Sequence, residues 1–242
     1  MRIKLKITFN NLTLPINYNN IIQGFIYNNI SDDSFRNFLH NKGFKYKGRK
    51  FKLFTFSRLQ GIYKINKKQN TISFKSPVYL TVSSLVDEFV NDFGNTLLNE
   101  KDLYLGKNKV FIETIQTQNK QIDKDNIRIE MSSPVVTYST VDLHGHKKTI
   151  YHRPGEELFD KLIHENLKKK YSIVYGEEIE KSSFHIVPKR TKPVITKYKG
   201  FIIKGWLGEL ELKGDRELIQ LAYEVGLGSK NSQGFGCFKI KE

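Results

Sequence analysis

A glycine-rich segment near the end of the chain, residues 226–236, restricts the backbone path more than any other part of the sequence. It reads Gly-Leu-Gly-Ser-Lys-Asn-Ser-Gln-Gly-Phe-Gly, so a Gly-apolar-Gly step stands on each side of five polar residues. Glycine adopts positive φ angles readily and lets another backbone approach closely, at an entropic cost. The polar side chains of the centre, together with an open run of backbone N–H donors, are suited to phosphate and sugar oxygens. The candidate binding residues are therefore Gly226, Gly228, Ser229, Lys230, Asn231, Ser232, Gln233, Gly234 and Gly236.

The elements around this segment distinguish it from the phosphate loops of nucleotide-binding proteins. Apolar residues at steps of three and four predict a helix over 215–225, and residues 235–240 read as a strand. Phosphate loops of NTPases and dinucleotide folds instead run from strand to loop to helix. The segment is thus a helix–loop–strand connection. Its alternative interpretation is a glycine-rich hairpin or helix end that binds no ligand.

Composition limits the classes of protein and partner. The chain has 242 residues, enough for two ordinary domains or one large domain, and 40 Lys and Arg against 25 Asp and Glu give a net charge of +15. Such an excess favours a polyanionic partner, nucleic acid first and an anionic membrane second. No apolar run is long enough to span a membrane, and the N-terminus does not resemble a signal peptide, so we expect a cytoplasmic protein. Because Cys237 is alone, we expect no disulfide framework and no cysteine metal cluster.

The first half of the chain alternates predicted strands and helices. Polar residues over 116–125 are typical of a linker. Before it, periodicity predicts a strand over 2–9 with one basic face, a turn over 12–17, a helix over 19–30, a second helix capped by Ser31 and ended by Gly43, strands over 51–57, 62–66 and 71–80, a helix over 82–99 and a strand over 109–116.

The second half repeats this plan. The predicted elements are a strand over 127–140 broken at Pro134, a short strand over 149–152, a helix opened by residues 154–157 and closed by Lys168–Lys170, strands over 183–188 and 194–212, the helix over 215–225 and the last strand. Two βαββαβ units in tandem predict an α+β fold with two ferredoxin-like domains, residues 1–120 and 121–242. RNA-recognition modules also have this topology.

Two rings in the first half, those of Tyr27 and His40, could share one cleft. His40 follows Tyr27 by 13 residues, which on one continuous helix would rotate the two apart by about 220°. A break at Ser31 would let two short helices bring both rings together.

Lys52 is at an unusual strand position, because strict alternation would place it on the same face as Phe54 and Phe56. Either its aliphatic stem packs on the core while its ammonium stays in water, or its ammonium binds an anion.

Metal chemistry has little support in the sequence. His144, His146 and His152 form the one histidine cluster, in a basic stretch without nearby carboxylates. A loop contact with RNA or solvent is the favoured interpretation of this cluster. We expect no metal and no cofactor.

Four stretches together resemble a known family. They are the loop 226–236, Gln23-Gly24-Phe25-Ile26-Tyr27-Asn28, Leu39-His40 and Lys52-Leu53-Phe54-Thr55-Phe56-Ser57. The chain resembles the CRISPR-associated endoribonucleases that process repeat RNA, the sixth Cas protein family within the RAMP superfamily. The glycine loop indicates the superfamily, and the amino-terminal motifs narrow it to the processing enzyme.

The resemblance implies tandem ferredoxin-like domains and metal-independent cleavage of precursor CRISPR RNA within its repeat. The products would be guide RNAs for a CRISPR interference complex. The family's catalytic tyrosine, histidine and lysine fall on Tyr27, His40 and Lys52. An insertion over residues 44–50 leaves Lys45 and Lys47 as rivals for the lysine.

The chemistry of RNA is consistent with these residue types. RNA carries its own nucleophile, the 2′-OH, so the protein must supply a base, an acid and a cation. The sequence leaves open which of His40 and Tyr27 is base or acid, and whether the protein is a monomer or a homodimer. Basic residues that could follow the RNA backbone are Lys4, Lys6, Lys47, Arg49, Lys147, Lys148, Arg153, Lys189, Arg190 and Lys192.

Two other functions stay open at this point. One is a non-cleaving RNA-binding subunit of a CRISPR complex, which would share the glycine loop. The other is a basic ferredoxin-like protein that serves another nucleic acid or a membrane.

Overall fold

The structure is a computed structural model that describes residues 1–143 and 145–241, and its first half is built around one antiparallel sheet. In chain order the elements of this half are β1 (Arg2–Thr8), β2 (Leu12–Pro15), α1 (Asn19–Asn28), α2 (Asp33–Asn37), a π-helical turn (Phe38–Lys42), β3 (Phe44–Tyr46), β4 (Arg49–Phe51), β5 (Phe54–Phe56), β6 (Tyr63–Asn66), β7 (Thr71–Phe74), β8 (Val78–Ser84), α3 (Asp87–Asn99), β9 (Leu103–Leu105) and β10 (Asn108–Thr117).

The strand order of this sheet is β5-β8-β1-β10-β9. If β1, β5, β8 and β10 are taken as the four strands of a βαββαβ unit, they lie in the order second, third, first, fourth. This is the order of a ferredoxin-like domain, with β9 added at one edge. Apolar residues alternate along the central strand β1, and Leu5 and Ile7 are fully buried beneath α1 and α3.

The second half has the same topology. Its elements are β11 (Asn126–Met131), β12 (Tyr138–Leu143), β13 (His146–Tyr151), α4 (Glu157–Tyr175), β14 (Phe184–Tyr198), β15 (Phe201–Gly214), α5 (Arg216–Val225), a 3₁₀ turn (Asn231–Gln233) and β16 (Phe238–Ile240). The sheet order β14-β15-β11-β16 is again second, third, first, fourth. The predicted α+β fold with two tandem ferredoxin-like domains is confirmed.

The change from one sheet to the other takes place between the end of β10 and the start of β11, over residues 118–125. The boundary predicted between residues 120 and 121 falls in this segment and stays a prediction.

The two domains are joined by Arg2, which is 3% exposed. Its guanidinium lies 3.6 Å from the ring centroid of Tyr223 and donates to the carbonyl oxygens of Tyr223 and Phe238. The expected basic face of β1 is therefore wrong for Arg2, which is buried between the domains.

Several predicted boundaries in the first half are wrong. Residues 12–15 form strand β2, paired with β7, where a turn was expected, because Pro15 lies at the strand end and need not donate. The strand expected over 71–80 is two strands, separated at Pro77. Strand β8 then runs on to Ser84, paired with β1 and β5, so helix α3 begins at Asp87 and not at residue 82.

The break between α1 and α2 occurs where the sequence predicts it, but with another cap. The backbone N–H and hydroxyl of Ser31 both donate to the carboxylate of Asp92 on α3. Asp32 is the N-cap residue, and its Oδ1 accepts from Ser34 N at 2.8 Å. Gly43, with φ of 63°, ends the following turn as expected.

The second half also departs from the sequence-based boundaries. Helix α4 does not close at Lys168–Lys170. It runs to Tyr175 and ends at Gly176 in the left-handed conformation. The strands expected over 183–188 and 194–212 are one long hairpin, β14–β15, whose only register shift lies between Pro188 and Arg190. The short strand expected over 149–152 is part of the hairpin β12–β13, and the strand expected over 127–140 ends at Met131.

Within the part of the chain that the structure describes, no helix is long and apolar enough to cross a membrane.

Candidate active site and glycine-rich loop

Tyr27 and His40 lie face to edge in the N-terminal domain. Tyr27 projects from the last turn of α1 and is 7% exposed, whereas His40 lies on the π-helical turn and is exposed. Their ring centroids are 5.2 Å apart at an interplanar angle of 77°. Phe54 on β5 packs against Tyr27, with their ring centroids 5.8 Å apart. The helix break thus brings the two rings together, as the sequence predicts.

The protonation of Tyr27 is shifted by its surroundings. Burial is the main cause that raises the pKa of this phenol, and Tyr198 adds to it. The phenol therefore stays protonated at neutral pH and can donate a hydrogen bond or a proton. His40 Nδ1 lies 2.8 Å from Oδ1 of Asn41, and this contact orients the imidazole. The second ring nitrogen, Nε2, takes no part in this contact.

Lys52 reaches the same turn from the segment between β4 and β5. Its ammonium donates to the carbonyl oxygen of His40 at 2.9 Å. Leu53 has φ of 53°, so the backbone turns out of the extended conformation directly after Lys52. The expectation that Lys52 shares a strand face with Phe54 and Phe56 is wrong for this reason. Burial, followed by the nearby charge of Lys50, lowers the pKa of Lys52.

The two rival lysines lie on the hairpin β3–β4. Lys47 is at its tip and forms an ion pair with Glu178 at 2.6 Å, and this hydrogen bond raises the pKa of Lys47. Lys45 is exposed and lies opposite Lys50 in the register of the hairpin. Lys50, which no motif in the sequence distinguishes from its basic neighbours, donates to the carbonyl of Asn41 at 3.3 Å. The basic composition of residues 42–52 was the available signal for Lys50.

The glycine loop, residues 226–236, docks on the N-terminal domain next to this site. Asn19 Nδ2 donates to the carbonyl of Gln233 at 2.9 Å, and Gln23 Nε2 donates to that of Ser232 at 2.6 Å. Thr55 on β5 donates to the carbonyl of Phe235 at 2.9 Å. Because Gln23 and Tyr27 are one helical turn apart on α1, the loop and the candidate catalytic residues share one support.

All four glycines of the loop lack room for a side chain, and the closest contacts are at Gly236 and Gly234. A Cβ on Gly236, whose φ is 81°, would lie 2.0 Å from the carbonyl oxygen of Leu227. A Cβ on Gly234 would lie 2.5 Å from the ring of Phe56. The tight backbone path that the glycine spacing predicts is confirmed at these positions.

Many backbone donors of the loop are used inside the protein. The N–H groups that donate to backbone carbonyls are those of Gly226, Leu227, Ser229, Gln233, Gly234, Phe235 and Gly236. These groups are not free for phosphate oxygens, contrary to the expectation of an open run of donors. The ammonium of Lys230 lies 5.1 Å from the ring centroid of Tyr138, and burial lowers its pKa.

Lys170 on α4 holds the loop from beneath. Its side chain is 2% exposed, and its ammonium donates to the carbonyls of Gly226 at 2.8 Å and Gly228 at 3.3 Å and to Oδ1 of Asn231 at 2.8 Å. Burial lowers the pKa of Lys170 to about 7. Nothing in the sequence separates this lysine from its two neighbours, since a run of three lysines is typical of an exposed helix end.

Two of the three basic residues of β14 that could follow RNA, Lys189 and Arg190, lie at the bulge opposite β15. Lys189 forms an ion pair with Glu211 at 2.6 Å, and this hydrogen bond is the main cause that lowers the pKa of Glu211 to about 2. Arg190 is exposed. The structure therefore leaves Arg190 more available to a ligand than Lys189.

The histidine cluster is only partly described. His144 lies outside the described residues, and His146 begins strand β13. His152 is buried, with Nε2 2.9 Å from the hydroxyl of Ser139, so a contact with RNA or solvent is wrong for this residue. Among residues 1–143 and 145–241, no group of three or more His, Cys, Asp and Glu side chains is arranged to hold a metal ion.

Two family models match almost the whole chain. The model described as "CRISPR associated protein Cas6, C-terminal" matches residues 116–240, and "CRISPR-associated protein Cas6, N-terminal" matches residues 13–116. The chain belongs to the Cas6 family. The match of one model to each half agrees with the two-domain architecture of this Cas6 chain.

Individual relatives support this assignment. A protein of Methanocaldococcus jannaschii named CRISPR-associated endoribonuclease Cas6 1 is 30% identical over 194 residues, which cover 77% of this Cas6 chain and 73% of the relative. A solved structure described as CRISPR associated protein Cas6 superposes with a TM-score of 0.82 at 29% identity, covering 100% of this chain and 99% of the other. A structure described as a RAMP protein binding different RNA substrates has the same fold, with a TM-score of 0.84 at 24% identity over all of both chains.

Proposed function

We propose that this Cas6 chain is an endoribonuclease that cleaves precursor CRISPR RNA within the repeat, without a metal ion. Tyr27, His40 and Lys52 carry the reaction, and the products are guide RNAs for a CRISPR interference complex. The observation that carries this proposal is the convergence of the three residues. The rings of Tyr27 and His40 are 5.2 Å apart, and Lys52 donates to the backbone of His40 at 2.9 Å. The relative from M. jannaschii, named an endoribonuclease, supports the reaction class.

The reaction needs no nucleophile from the protein. A base removes the proton from the 2′-OH, the 2′ oxygen attacks the adjacent phosphorus, and the bond from phosphorus to the 5′ oxygen breaks. An acid protonates the departing 5′ oxygen, so that the products are a 2′,3′-cyclic phosphate and a 5′-OH. A cation next to the phosphate stabilises the charge that develops on its oxygens.

The geometry suggests how the three roles are divided. Since its raised pKa keeps Tyr27 protonated, the phenol suits the acid, and the exposed imidazole of His40 suits the base. Lys52, beside His40, suits the cation. Lys50 adds a second positive charge to the same turn.

The glycine loop and Arg190 have the binding role in this proposal. The loop is fixed to α1 and β5 through Asn19, Gln23 and Thr55, so it can position RNA relative to the catalytic residues. Lys230 supplies a cation from the loop to the RNA backbone. We expect Lys230→Ala to weaken binding of repeat RNA and to leave the cleavage rate of bound RNA nearly unchanged.

The test uses the purified chain and an RNA that contains the repeat. We expect cleavage that continues in EDTA and leaves a 2′,3′-cyclic phosphate, and that stops when the nucleotide before the cut carries a 2′-deoxy sugar. His40→Ala should slow cleavage by about 10²-fold while RNA affinity stays close to that of the wild type. His185→Ala, which removes an exposed histidine on β14, is the matched control and should cleave normally.

Two outcomes contradict the proposal in different ways. Cleavage of the deoxy substrate, or loss of activity in EDTA with recovery in magnesium, would show a metal-activated water. Tight binding of repeat RNA without any cleavage would favour the second candidate, a non-cleaving RNA-binding subunit of a CRISPR complex. The tight binding of the loop to the N-terminal domain is compatible with that second candidate as well.

A further inference from the structure

A pocket lies between the domains, away from Tyr27 and His40. It is formed by the loop after β2 and the start of α1, by the hairpin β6–β7 and by the middle of β14, and its volume is about 210 Å³. Pockets that enclose drug-sized ligands measure roughly 300 to 1,000 Å³, so this pocket suits one smaller ring system. The residues on which the inference depends are Asn19, Arg58, Tyr63, Phe74 and Ile195.

Arg58 brings a positive charge into the pocket without a carboxylate. Its Nη2 makes one long hydrogen bond, 3.4 Å, to the hydroxyl of Thr196, and among the described residues no acidic side chain forms an ion pair with it. Burial lowers the pKa of this guanidinium. Arg58 is half-buried and lines the pocket, so an anionic ligand that enters the pocket can pair with its guanidinium. Arginine also matches phosphate oxygens in a bidentate geometry.

Aromatic rings form one wall of the pocket. Tyr63 on β6 is 56% exposed, and its ring centroid is 5.9 Å from that of Phe74 on β7. Ile195 on β14 is 71% exposed at the same pocket. An exposed tyrosine that is backed by a second aromatic ring is a surface on which a nucleobase can stack.

The pocket is connected to the glycine loop through Asn19. This side chain lines the pocket and donates to the carbonyl oxygens of Gln233 and Gly234, at 2.9 and 3.2 Å. The pocket and the glycine loop are therefore neighbours, because Asn19 contacts both.

We propose that this pocket holds one unpaired nucleotide of a single-stranded RNA, with its base stacked on Tyr63 and its phosphate bound by Arg58. The inference rests on the proposed function in one respect, that the RNA is the repeat whose cleavage is described above. An aliphatic side chain of a protein partner would fill the apolar wall but would leave Arg58 without an anion.

The experiment compares four variants of the full chain. Tyr63→Ala and Arg58→Gln alter the pocket. Tyr104→Ala, an exposed tyrosine on β9, and Arg128→Gln, an exposed arginine on β11, are the matched controls. Affinity is measured with short unstructured RNAs and with the repeat RNA, and 5-iodouridine placed at each position in turn allows cross-linking to an aromatic ring.

We expect both pocket variants to lose about tenfold in affinity while the controls bind like the wild type. One position of the RNA should cross-link to Tyr63 or Phe74, and that cross-link should decrease in Arg58→Gln. Because Tyr63 is exposed, its variant should unfold at the same temperature as the wild type. This keeps the result interpretable even if the arginine variant is unstable.

The pocket and the proposed function can fail separately. If the wild type cleaves repeat RNA but both pocket variants bind normally and no cross-link reaches the pocket, the nucleotide site is wrong and the endoribonuclease stands. If the wild type binds RNA without cleaving it and the cross-link to Tyr63 forms, the nucleotide site stands and the cleavage proposal fails. If the wild type binds scrambled RNA as tightly as the repeat, the pocket accepts a nucleotide of any single-stranded RNA.

Discussion

At the scale of residues, the pair Tyr27 and His40 raises the question of which side chain gives a proton and which takes one. The two rings lie 5.2 Å apart, and the raised pKa of Tyr27 keeps its phenol protonated. We predict that Tyr27→Phe slows cleavage of ordinary repeat RNA by about 10²-fold, since one proton transfer is lost. The variant should regain most of the wild-type rate on a substrate whose bridging 5′ oxygen at the cut is replaced by sulfur. A thiolate leaves without protonation, so this substrate needs no acid.

The same substrate distinguishes the base. His40→Ala should remain slow on the sulfur-containing RNA, because removal of the 2′-OH proton is still required. Single-turnover rates of the two variants on both substrates give the answer. If His40→Ala were rescued and Tyr27→Phe were not, the two roles would have to be exchanged.

The choice among the lysines is also a question of single residues. Lys52 donates to the backbone of His40, whereas Lys47 is occupied by Glu178. We predict that Lys52→Ala reduces the single-turnover rate by about tenfold or more, since a cation beside the developing charge is lost. Lys47→Ala is the matched control and should stay within about twofold of the wild type. Equal losses in both variants would mean that the hairpin β3–β4 moves to the RNA.

At the scale of elements, helix α4 and the glycine loop are joined by Lys170. Burial lowers the pKa of this lysine from 10.5 to about 7, so the unfolded chain binds more protons than the folded chain between these values. The penalty for its burial is fully present below pH 7 and is relieved as the pH rises toward 10.5. We predict that the free energy of unfolding of the wild type rises with pH in this window, relative to Lys170→Met, by at most about 1.4 kcal/mol per pH unit. Urea unfolding of both proteins at pH 7.5 and 9.5 measures this difference, and parallel pH profiles would contradict it.

The elements also show what a sequence can and cannot predict. The periodicity of apolar residues predicts α5, and the glycine spacing predicts the tight loop after it, because both depend on local chain geometry. The end of α4 and the single hairpin β14–β15 were missed. Lys170 reads as part of an exposed helix end, but in the fold the loop carbonyls of Gly226 and Gly228 give its ammonium buried partners. Such partners lie 56 and 58 residues away in sequence, and no local pattern reveals them.

The candidate site also has one part that the sequence predicts and another that it does not. The break near Ser31 predicts that Tyr27 and His40 meet, since it follows from helix geometry alone. The contact of Lys52 with His40 depends on the positive φ of Leu53, which a non-glycine residue rarely adopts. Strict alternation therefore assigned Lys52 to the wrong face. The pocket around Arg58 needs residues from both domains, and only the folded chain assembles it.

At the scale of the whole molecule, the two domains have the same topology but contribute different parts. The first supplies Tyr27, His40 and Lys52, and the second supplies the glycine loop that docks beside them. Arg2 closes the junction from the other side by binding backbone carbonyls of the second domain. A substitution that separates the domains should therefore weaken RNA binding even if it lies far from the cut.

The net charge of +15 predicts that the affinity for RNA depends on salt concentration. Four of the basic residues expected to follow the RNA are already paired with carboxylates, namely Lys6, Lys47, Arg153 and Lys189. We expect the unpaired ones, such as the exposed Lys192, to contribute more to binding. Each phosphate contact of a single strand changes the slope of log K against log salt by about −0.7. Lys192→Ala should therefore make the slope less steep by about 0.7, whereas Lys47→Ala should leave it almost unchanged. Titrations of the full chain with unstructured RNA over a series of salt concentrations measure both slopes, and a wild-type affinity that does not depend on salt would rule out an electrostatic RNA-binding surface.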